Sequence, residues 1–469
     1  MAKGNARAAK PSCASPRVSI IYRSVDDLKL DPKNPRSHRP RQIRQIARSI
    51  VEFGFLVPIL IDASGKVIAG HGRLLAARQL GWREVPTIEL HHLSEAQARA
   101  YMIADNRLTE ISEWDDALLA TQLRELAALD LDFSLEITGF DAAEIDLRIE
   151  QSVLSEDDDE RANQIPEPSG NPPVTKTGDI WILNEHRVLC ASALERNSYS
   201  TLMGKDRAEM VFIDPPYNVA IDGNVSGLGA TRHKEFAMAS GEMSKEEFQQ
   251  FLTKVFLLLA KYSTPLSLHF VFMDWRHTGE VVAAGDDVYN DLINCCVWVK
   301  DNAGMGSFYR SQHEFVFVFK SQKGSHRNNV QLGQYGRNRT NVWSYPCANS
   351  FSRSGDEGHL LSLHPTVKPA ALVGDAIMDC TERGAIVLDS FLGSGTTIIA
   401  AERTGRRCYG LEIDARYVDT IVRRWQAFTR NVAIHSQTGR SFAEIEEEVT
   451  GRCDSATRKH RPSPLATIK

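Results

Sequence analysis

No two of the eight cysteines, at positions 13, 190, 295, 296, 347, 380, 408 and 453, form a C-x-x-C pair. Neither a zinc site nor a disulfide framework is therefore signalled, no metal is expected, and reduced, mostly buried thiols in a cytoplasm are the plainer reading. Long apolar runs are missing too. The longest, around Val255–Ala260, is far too short to span a bilayer, so no membrane partner is expected. The first 17 residues carry charge but no apolar core, which reads as a disordered tail and not a signal peptide. An excess of positive charge is absent: the net charge is -5, so any nucleic-acid contact must come from a local patch. What is present, 42% hydrophobic and 25% charged residues over 469 positions, fits a globular protein of two to three domains.

Residues 151–178 form the clearest boundary. The acidic cluster Glu156–Glu160 runs into Pro166, Pro168, Pro172 and Pro173, a composition that reads as a linker. It divides an N-terminal unit (18–150) from a larger one (179–435), with a charged tail (436–469) expected to be mobile. The larger unit alternates strand and helix patterns, as a mostly parallel sheet with helices on both faces would. Strands are expected at Glu209–Asp214, Leu266–Met273, Cys295–Val299, Glu314–Phe319, Ala385–Asp389 and Arg407–Ile413. Helices are expected from the capping box Ser244–Glu247 to about Lys261, and at Ala370–Cys380 and Thr396–Arg403.

Asp389 closes one of these strands and leads into Phe391-Leu-Gly393-Ser-Gly395-Thr396. The glycines permit a sharp turn and close backbone approach to a ligand, and the following helix presents its positive end to the same place. Glu412 ends the next strand, 19 residues after Gly393, where an acid can hydrogen-bond ribose hydroxyls. A tight connection would also need such glycines. A dinucleotide cradle fits less well, because Ile398 stands where its third glycine belongs and Phe391 suits an apolar wall for adenosine.

Asp214-Pro215-Pro216-Tyr217 lies at the exit of an apolar strand, and average composition would produce it in such a chain only about twice in a thousand. An exocyclic amine on a nucleobase is a poor nucleophile because its lone pair is delocalised into the ring. A carboxylate (Asp214) and a rigidly held proline carbonyl (Pro215), accepting its two N–H bonds, would localise that lone pair. Tyr217 offers a flat face for a base taken out of the duplex.

In order and spacing these motifs resemble the DNA amino-methyltransferases whose D-P-P-Y precedes H-P-T-x-K-P and F-x-G-x-G. Here the matches are Asp214–Tyr217, His364–Pro369 and Phe391–Gly395, across about 179–425. The resemblance implies a Rossmann-like α/β fold and S-adenosyl-L-methionine (AdoMet) as cofactor. Lys368 and Thr366 would lie beside the cofactor with Asp389, Phe391, Gly393, Gly395 and Thr396, and Glu412 would hold its ribose. Trp298-Val-Lys300 and His313-Glu314-Phe315 also resemble family strands that flank the target base, although on sequence alone they read as ordinary sheet residues. One departure stands out: Cys190-Ala-Ser-Ala193 occupies the place of a frequent Gly-Asp pair, with Gly178-Asp179 occurring earlier.

Residues 322–353 carry Lys323, Arg327, Arg337, Arg339 and Arg353 with no Asp or Glu, interleaved with Tyr335, Trp343, Tyr345 and Phe351. This composition suits phosphate contact and base stacking, so these five are the expected DNA-binding residues, in a target-recognition insert of about 322–363. A solvated loop would look similar.

In the N-terminal unit, Val57–Ile61 and Val67–Ala69 flank Asp62–Gly65 as a hairpin. Gly70-His-Gly-Arg73 opens a short helix, and a capping box at Ser94–Gln97 opens another that runs towards Asn106-Arg107. Across about 24–125 this resembles the α+β domain of the ParB and sulfiredoxin-like group. That likeness implies a nucleotide phosphate held by Gly70, Arg73, Asn106 and Arg107, and a DNA- or nucleotide-binding accessory role. The loop lacks a cysteine, which removes sulfiredoxin chemistry.

The whole therefore reads as an AdoMet-dependent DNA methyltransferase of a bacterial or phage cytoplasm, acting on N6 of adenine in double-stranded DNA, without a fused nuclease. N4 of cytosine is the near alternative. A ParB-like DNA-binding factor with an inactive methyltransferase scaffold is the reading from another class. A homodimer is compatible with the sequence, and neither the recognition site nor a partner restriction enzyme is legible.

Overall fold

The computed structural model describes residues 18–129, 131–153, 156–166, 171–218, 241–301, 303, 308–333, 337–346 and 367–459. The chain divides into two units, Met1–Asp141 and Ala142–Lys469.

The first unit is α+β. Its strands β1 (Ile20–Ser24), β2 (Ile59–Ile61), β3 (Val67–Ala69) and β4 (Glu84–Glu89) form a sheet in the order β1-β4-β2-β3. Helices α1 (Pro40–Phe53) and α2 (His71–Gln79) pack together through Ala47, Ile50 and Ala76. Helices α3 (Glu95–Glu110) and α4 (Asp116–Ala127) follow. The β2–β3 hairpin turns because the Asp62 carboxylate accepts the backbone N–H groups of Ser64 and Lys66. The capping box of α3 is formed on both sides, Ser94 to Gln97 N–H and Gln97 to Ser94 N–H. Asp105, Asn106 and Arg107 therefore lie inside the helix.

The second unit is a ten-stranded sheet in the order β11-β9-β10-β8-β7-β12-β13-β6-β5-β14. Its elements run α5 (Ala142–Val153), α6 (Glu156–Asn163), β5 (Ile180–Leu183), β6 (His186–Cys190), α7 (Arg196–Met203), β7 (Ala208–Ile213), α8 (Lys245–Lys261) and β8 (Ser263–Met273). They continue α9 (Thr278–Val288), β9 (Asp291–Val299), β10 (His313–Lys320), β11 (Val342–Ser344), α10 (Ala370–Cys380) and β12 (Ile386–Asp389). The last are α11 (Thr396–Thr404), β13 (Arg407–Glu412), α12 (Ala415–Thr429), β14 (Ile434–His435) and α13 (Phe442–Lys459).

Strands β8, β7, β12, β13 and β6 are parallel, and both their faces are covered. Alternation along β7 makes this concrete: Met210 and Phe212 join one apolar cluster, Val211 and Ile213 the other. A strand buried on both sides reads as a continuous apolar run, which is why β7, β8, β12 and β13 were visible in the sequence, whereas β6 was not expected. The open Rossmann-like sheet places the strand ends Asp389, Glu412 and the residue after β7, Asp214, along one edge, where α/β sheets bind ligands.

Two boundaries differ from the sequence expectation. The 151–178 stretch is not a free linker. Its N-terminal part continues α5 and then forms α6, whose Ala162 is fully buried in the second unit's core. On α5, Asp146 is buried and paired with Arg406 and Arg383; further on, Val174 and Thr175 donate their N–H groups to Asp419. The acidic composition misled because its partners lie far along the chain: Asp159 meets Arg403 at 2.5 Å. The 436–469 tail likewise begins with order, since α13 starts at Phe442, whose ring packs 5.1 Å from that of Trp181. Residues 1–17 and 460–469 lie outside the described residues.

Candidate active site

Strand β7 ends at Ile213 and delivers Asp214 to the ligand edge. Strand β10 runs antiparallel to both β8 and β9, so it begins where they end, and Glu314 lands at the same edge. Lys300 follows the last residue of β9, and Lys368 precedes the Pro369 cap of α10. These four meet Tyr217 in one cluster. The Lys368 ammonium donates to Asp214 Oδ2 at 2.6 Å and lies 3.1 Å from Glu314 Oε2. The Tyr217 hydroxyl lies 2.5 Å from Asp214 Oδ1 and 3.0 Å from Glu314 Oε2. Lys300 donates to Glu314 Oε1. The rings of Phe272 and Trp298 pack over Lys368 at 5.0 and 5.8 Å.

The electrostatics follow from burial against pairing. Burial, joined by the charge of Glu314, raises the Asp214 carboxyl above its ordinary range despite Lys368. Burial also works against charge on Glu314, but two lysines outweigh it and hold that carboxyl down to about 2. For Lys368 burial disfavours the ammonium, and the two carboxylates overcome it to raise its affinity for the proton. Beyond Tyr217, Asn218 adopts φ 52° and grips the chain where it returns, accepting from the N–H of Gly241 and Met243 and donating to the Met243 carbonyl.

The second carboxylate set lies on β12 and β13. Asp389 accepts from the Phe391 N–H at 2.9 Å and the Thr397 hydroxyl at 2.6 Å, tying the glycine loop to the start of α11. Glu412 accepts from the N–H groups of Gly393 and Asp414, both at 2.9 Å. Burial is the main cause that pushes each of these carboxyls up to about 7. Gly395 caps α11 at φ 82°, where an added Cβ would also lie 3.0 Å from Ile421. Beneath the loop Arg424, fully buried, donates to the carbonyl and hydroxyl of Ser394, the Thr396 hydroxyl and the Ala162 carbonyl. Thr396 thus turns its side chain inward.

Lys368 sits on Asp214 and Glu314. The described arginines expected to meet DNA are engaged within the protein. Arg337, nearly fully buried, pairs with Asp375 and Asp379 of α10, and Arg339 pairs with the same two acids. Arg327 meets Glu382 at 2.7 Å. The 322–353 stretch has no acid of its own, but neighbours in space supply them. Trp343 is buried on β11, which extends the sheet beside β9. Arg337 and Arg339 are thus tied into the fold's own ion pairs, whereas Lys323 is exposed. Thr366, Arg353, Tyr335 and Phe351 lie outside the described residues. At the Cys190–Ala193 departure, burial pushes the Cys190 thiol up to about 12, and the Ala191 N–H donates to the Glu412 carbonyl. Asp179 pairs with His435 instead of reaching the loop.

On sequence alone Glu314 and Lys300 read as ordinary sheet residues, and Asn218 and Arg424 were passed over. A signal existed for the first: Glu314 is the one carboxylate in the otherwise apolar run Glu314–Phe319.

Against known families, residues 208–423 match the DNA methylase profile, 117–177 the ParB-methyltransferase HTH domain and 14–106 the ParB N-terminal domain. Residues 208–423 are thus an N6/N4 DNA methylase domain, with ParB-type domains in front of it. The front domain is 41% identical over 83 residues to the ParB-like nuclease domain-containing protein YnaK of Escherichia coli K12, spanning 18% of this chain and 95% of that protein. The Type II methyltransferase M2.DpnII of Streptococcus pneumoniae is 25% identical over 237 residues, 48% of this chain and 85% of that one. Among solved structures, the cytosine-N4-specific PvuII DNA methyltransferase is 16% identical, with a TM-score of 0.39, covering 60% of this chain and 95% of that chain.

In the ParB-type domain, Gly70 caps α2 at φ 101°, and Arg73 folds back beside it to donate to the Val57 carbonyl at 2.9 Å. Asn106 accepts from Arg36 at 3.0 Å, while Arg107 is exposed and lies 3.5 Å from Glu110. No helix among the described residues is long and apolar enough to cross a membrane, and no group of metal-ligating side chains is found among them.

Proposed function

We propose that this methylase transfers a methyl group from AdoMet to the exocyclic N6 of adenine in double-stranded DNA. The observation that carries the reading is Asp214, at the exit of β7 beside β12, whose end opens the glycine loop. The loop suits an adenosine with a cationic centre. Two buried carboxylates, Asp389 and Glu412, are held there by N–H and hydroxyl donors, and their raised proton affinity marks a place that a positive ligand would relieve. Gly393, Gly395, Phe391 and Glu412 would hold the cofactor, which when bound supplies an electrophilic methyl on sulfur.

The residues do the rest. Asp214 and the Pro215 carbonyl accept the two amine N–H bonds and aim the lone pair, and Tyr217 and Pro216 wall the base. As the N–C bond forms and the methyl–sulfur bond breaks, one amine proton must leave. Asp214, whose burial favours protonation, is the acceptor at hand. Asp at the first motif position favours adenine, and N4 of cytosine shares the same geometry. An inactive scaffold would have no need to keep Asp214, Lys368 and the glycine loop together. Phosphate of a nucleotide at Gly70 and Arg73 is a separate part of the proposal, as is action within the cytoplasm.

Single-molecule sequencing of unmodified DNA after incubation with the protein and AdoMet tests this reading. N6-methyladenine at one short recurring sequence supports it. N4-methylcytosine would move the assignment to the other base, and unmodified DNA despite measured AdoMet binding would favour a DNA-organising role.

A further inference from the structure

Both oxygens of the Asp214 carboxylate are already engaged by the protein's own donors. Tyr217 lies on Oδ1 and Lys368 on Oδ2. An arriving amine N–H must share one of those oxygens with a donor already on it, and the amine's bond is strongest where that donor withdraws. A buried ammonium or hydroxyl released without a new acceptor would be left unsatisfied, which is unfavourable. Glu314 is placed to be that acceptor: its Oε2 lies 3.0 Å from the Tyr217 hydroxyl and 3.1 Å from the Lys368 ammonium. Tyr217 has a single hydroxyl proton facing two carboxylates, so it can donate to only one of them at a time. Lys300 anchors the far oxygen of Glu314 and keeps the near one turned inward.

We propose that Glu314 is a positioning residue that takes Tyr217 and Lys368 away from Asp214 as the target amine enters, converting a self-closed carboxylate into one open to substrate. The inference rests on the catalytic reading of Asp214. With two lysines, Glu314 remains ionised throughout the working pH range and is always ready to accept. The exchange moves hydrogen bonds only. Two carboxylates and two ammonium groups are present before and after, so no net charge is created in the buried pocket.

A double-mutant cycle on the full chain tests it, with methyl transfer to DNA, AdoMet dissociation constant and thermal midpoint measured for each variant. Glu314→Gln should lower kcat/KM for DNA by at least about tenfold while AdoMet binding is unchanged, and in a Lys368→Met background its further effect should shrink to about threefold or less. Glu314→Asp, which retains the charge, should recover part of the loss and serves if the glutamine variant is poorly folded. An equal fold-loss from Glu314→Gln in both backgrounds would overturn the proposal while leaving the methyltransferase reading intact. Absence of transfer by the unsubstituted protein would overturn both.

Discussion

The two acidic sites on the ligand edge are built on opposite principles. Around Asp214 and Glu314 each carboxylate faces an ammonium group, and the cluster is balanced in charge before any ligand arrives. Around Asp389 and Glu412 the carboxylates are held by backbone N–H groups and a hydroxyl, and burial raises both to about 7. The first site meets its substrate with a donor already on each Asp214 oxygen. The second gains from a positively charged ligand, since its acceptors carry a charge cost that no lysine or arginine contact offsets as directly. A transferase that must hold a cationic donor and discriminate an incoming amine can use both arrangements, side by side on adjacent strands.

The sharpest way to break the contrast is at Asp214. Asp214→Ala should lower transfer by about a hundredfold to a thousandfold, as expected for loss of a preorganised acceptor, while AdoMet binding measured by calorimetry stays nearly intact. Transfer within a few-fold of the parent would refute the catalytic assignment. Next come the arginines that the sequence offered as a DNA surface. Arg337→Met leaves Asp375 and Asp379 short of a partner in a buried network and should cost about 3–5 kcal/mol in urea unfolding, without changing the salt dependence of DNA binding. A shallower salt slope with unchanged stability would return Arg337 to the DNA interface. Gly393→Val forces a branched side chain into φ 51° and should weaken AdoMet by about tenfold or more, leaving DNA affinity in place.

The smallest effect is in pH. Folded Asp389 and Glu412 have raised pKa values, so the folded state binds more protons than the unfolded state between about pH 4 and pH 7. Their contribution to stability is therefore present at low pH and is lost as pH rises through 7. AdoMet should reverse the penalty, binding a few-fold more tightly at pH 8 than at pH 6, with Glu412→Gln flattening that slope. A slope of the opposite sign would remove the charge argument for the second site.

How much of this was legible depends on how local each signal is. The parallel strands β7, β8, β12 and β13, the two capping boxes and the Gly393–Gly395 turn were readable, because periodicity, caps and left-handed glycines are properties of short segments. The N-terminal hairpin was readable for the same reason, through Asp62. Partners distant in sequence were not. Arg337 looked free only because Asp375 and Asp379 lie further along the chain on α10, and Glu156–Glu160 looked like a solvated run because Arg403 follows more than 240 residues after Asp159. Glu314 and Lys300 resembled sheet residues until antiparallel β10 brought their end of the sheet to Asp214.

The most direct measurement is transfer of a labelled methyl group from AdoMet to DNA, followed by nucleoside analysis, for the unsubstituted protein beside Asp214→Ala. Label on N6 of adenine with the first protein and none with the second, at equal AdoMet binding, is the predicted result. Equal labelling by both proteins, or no label on DNA from the unsubstituted protein with AdoMet bound, would contradict it.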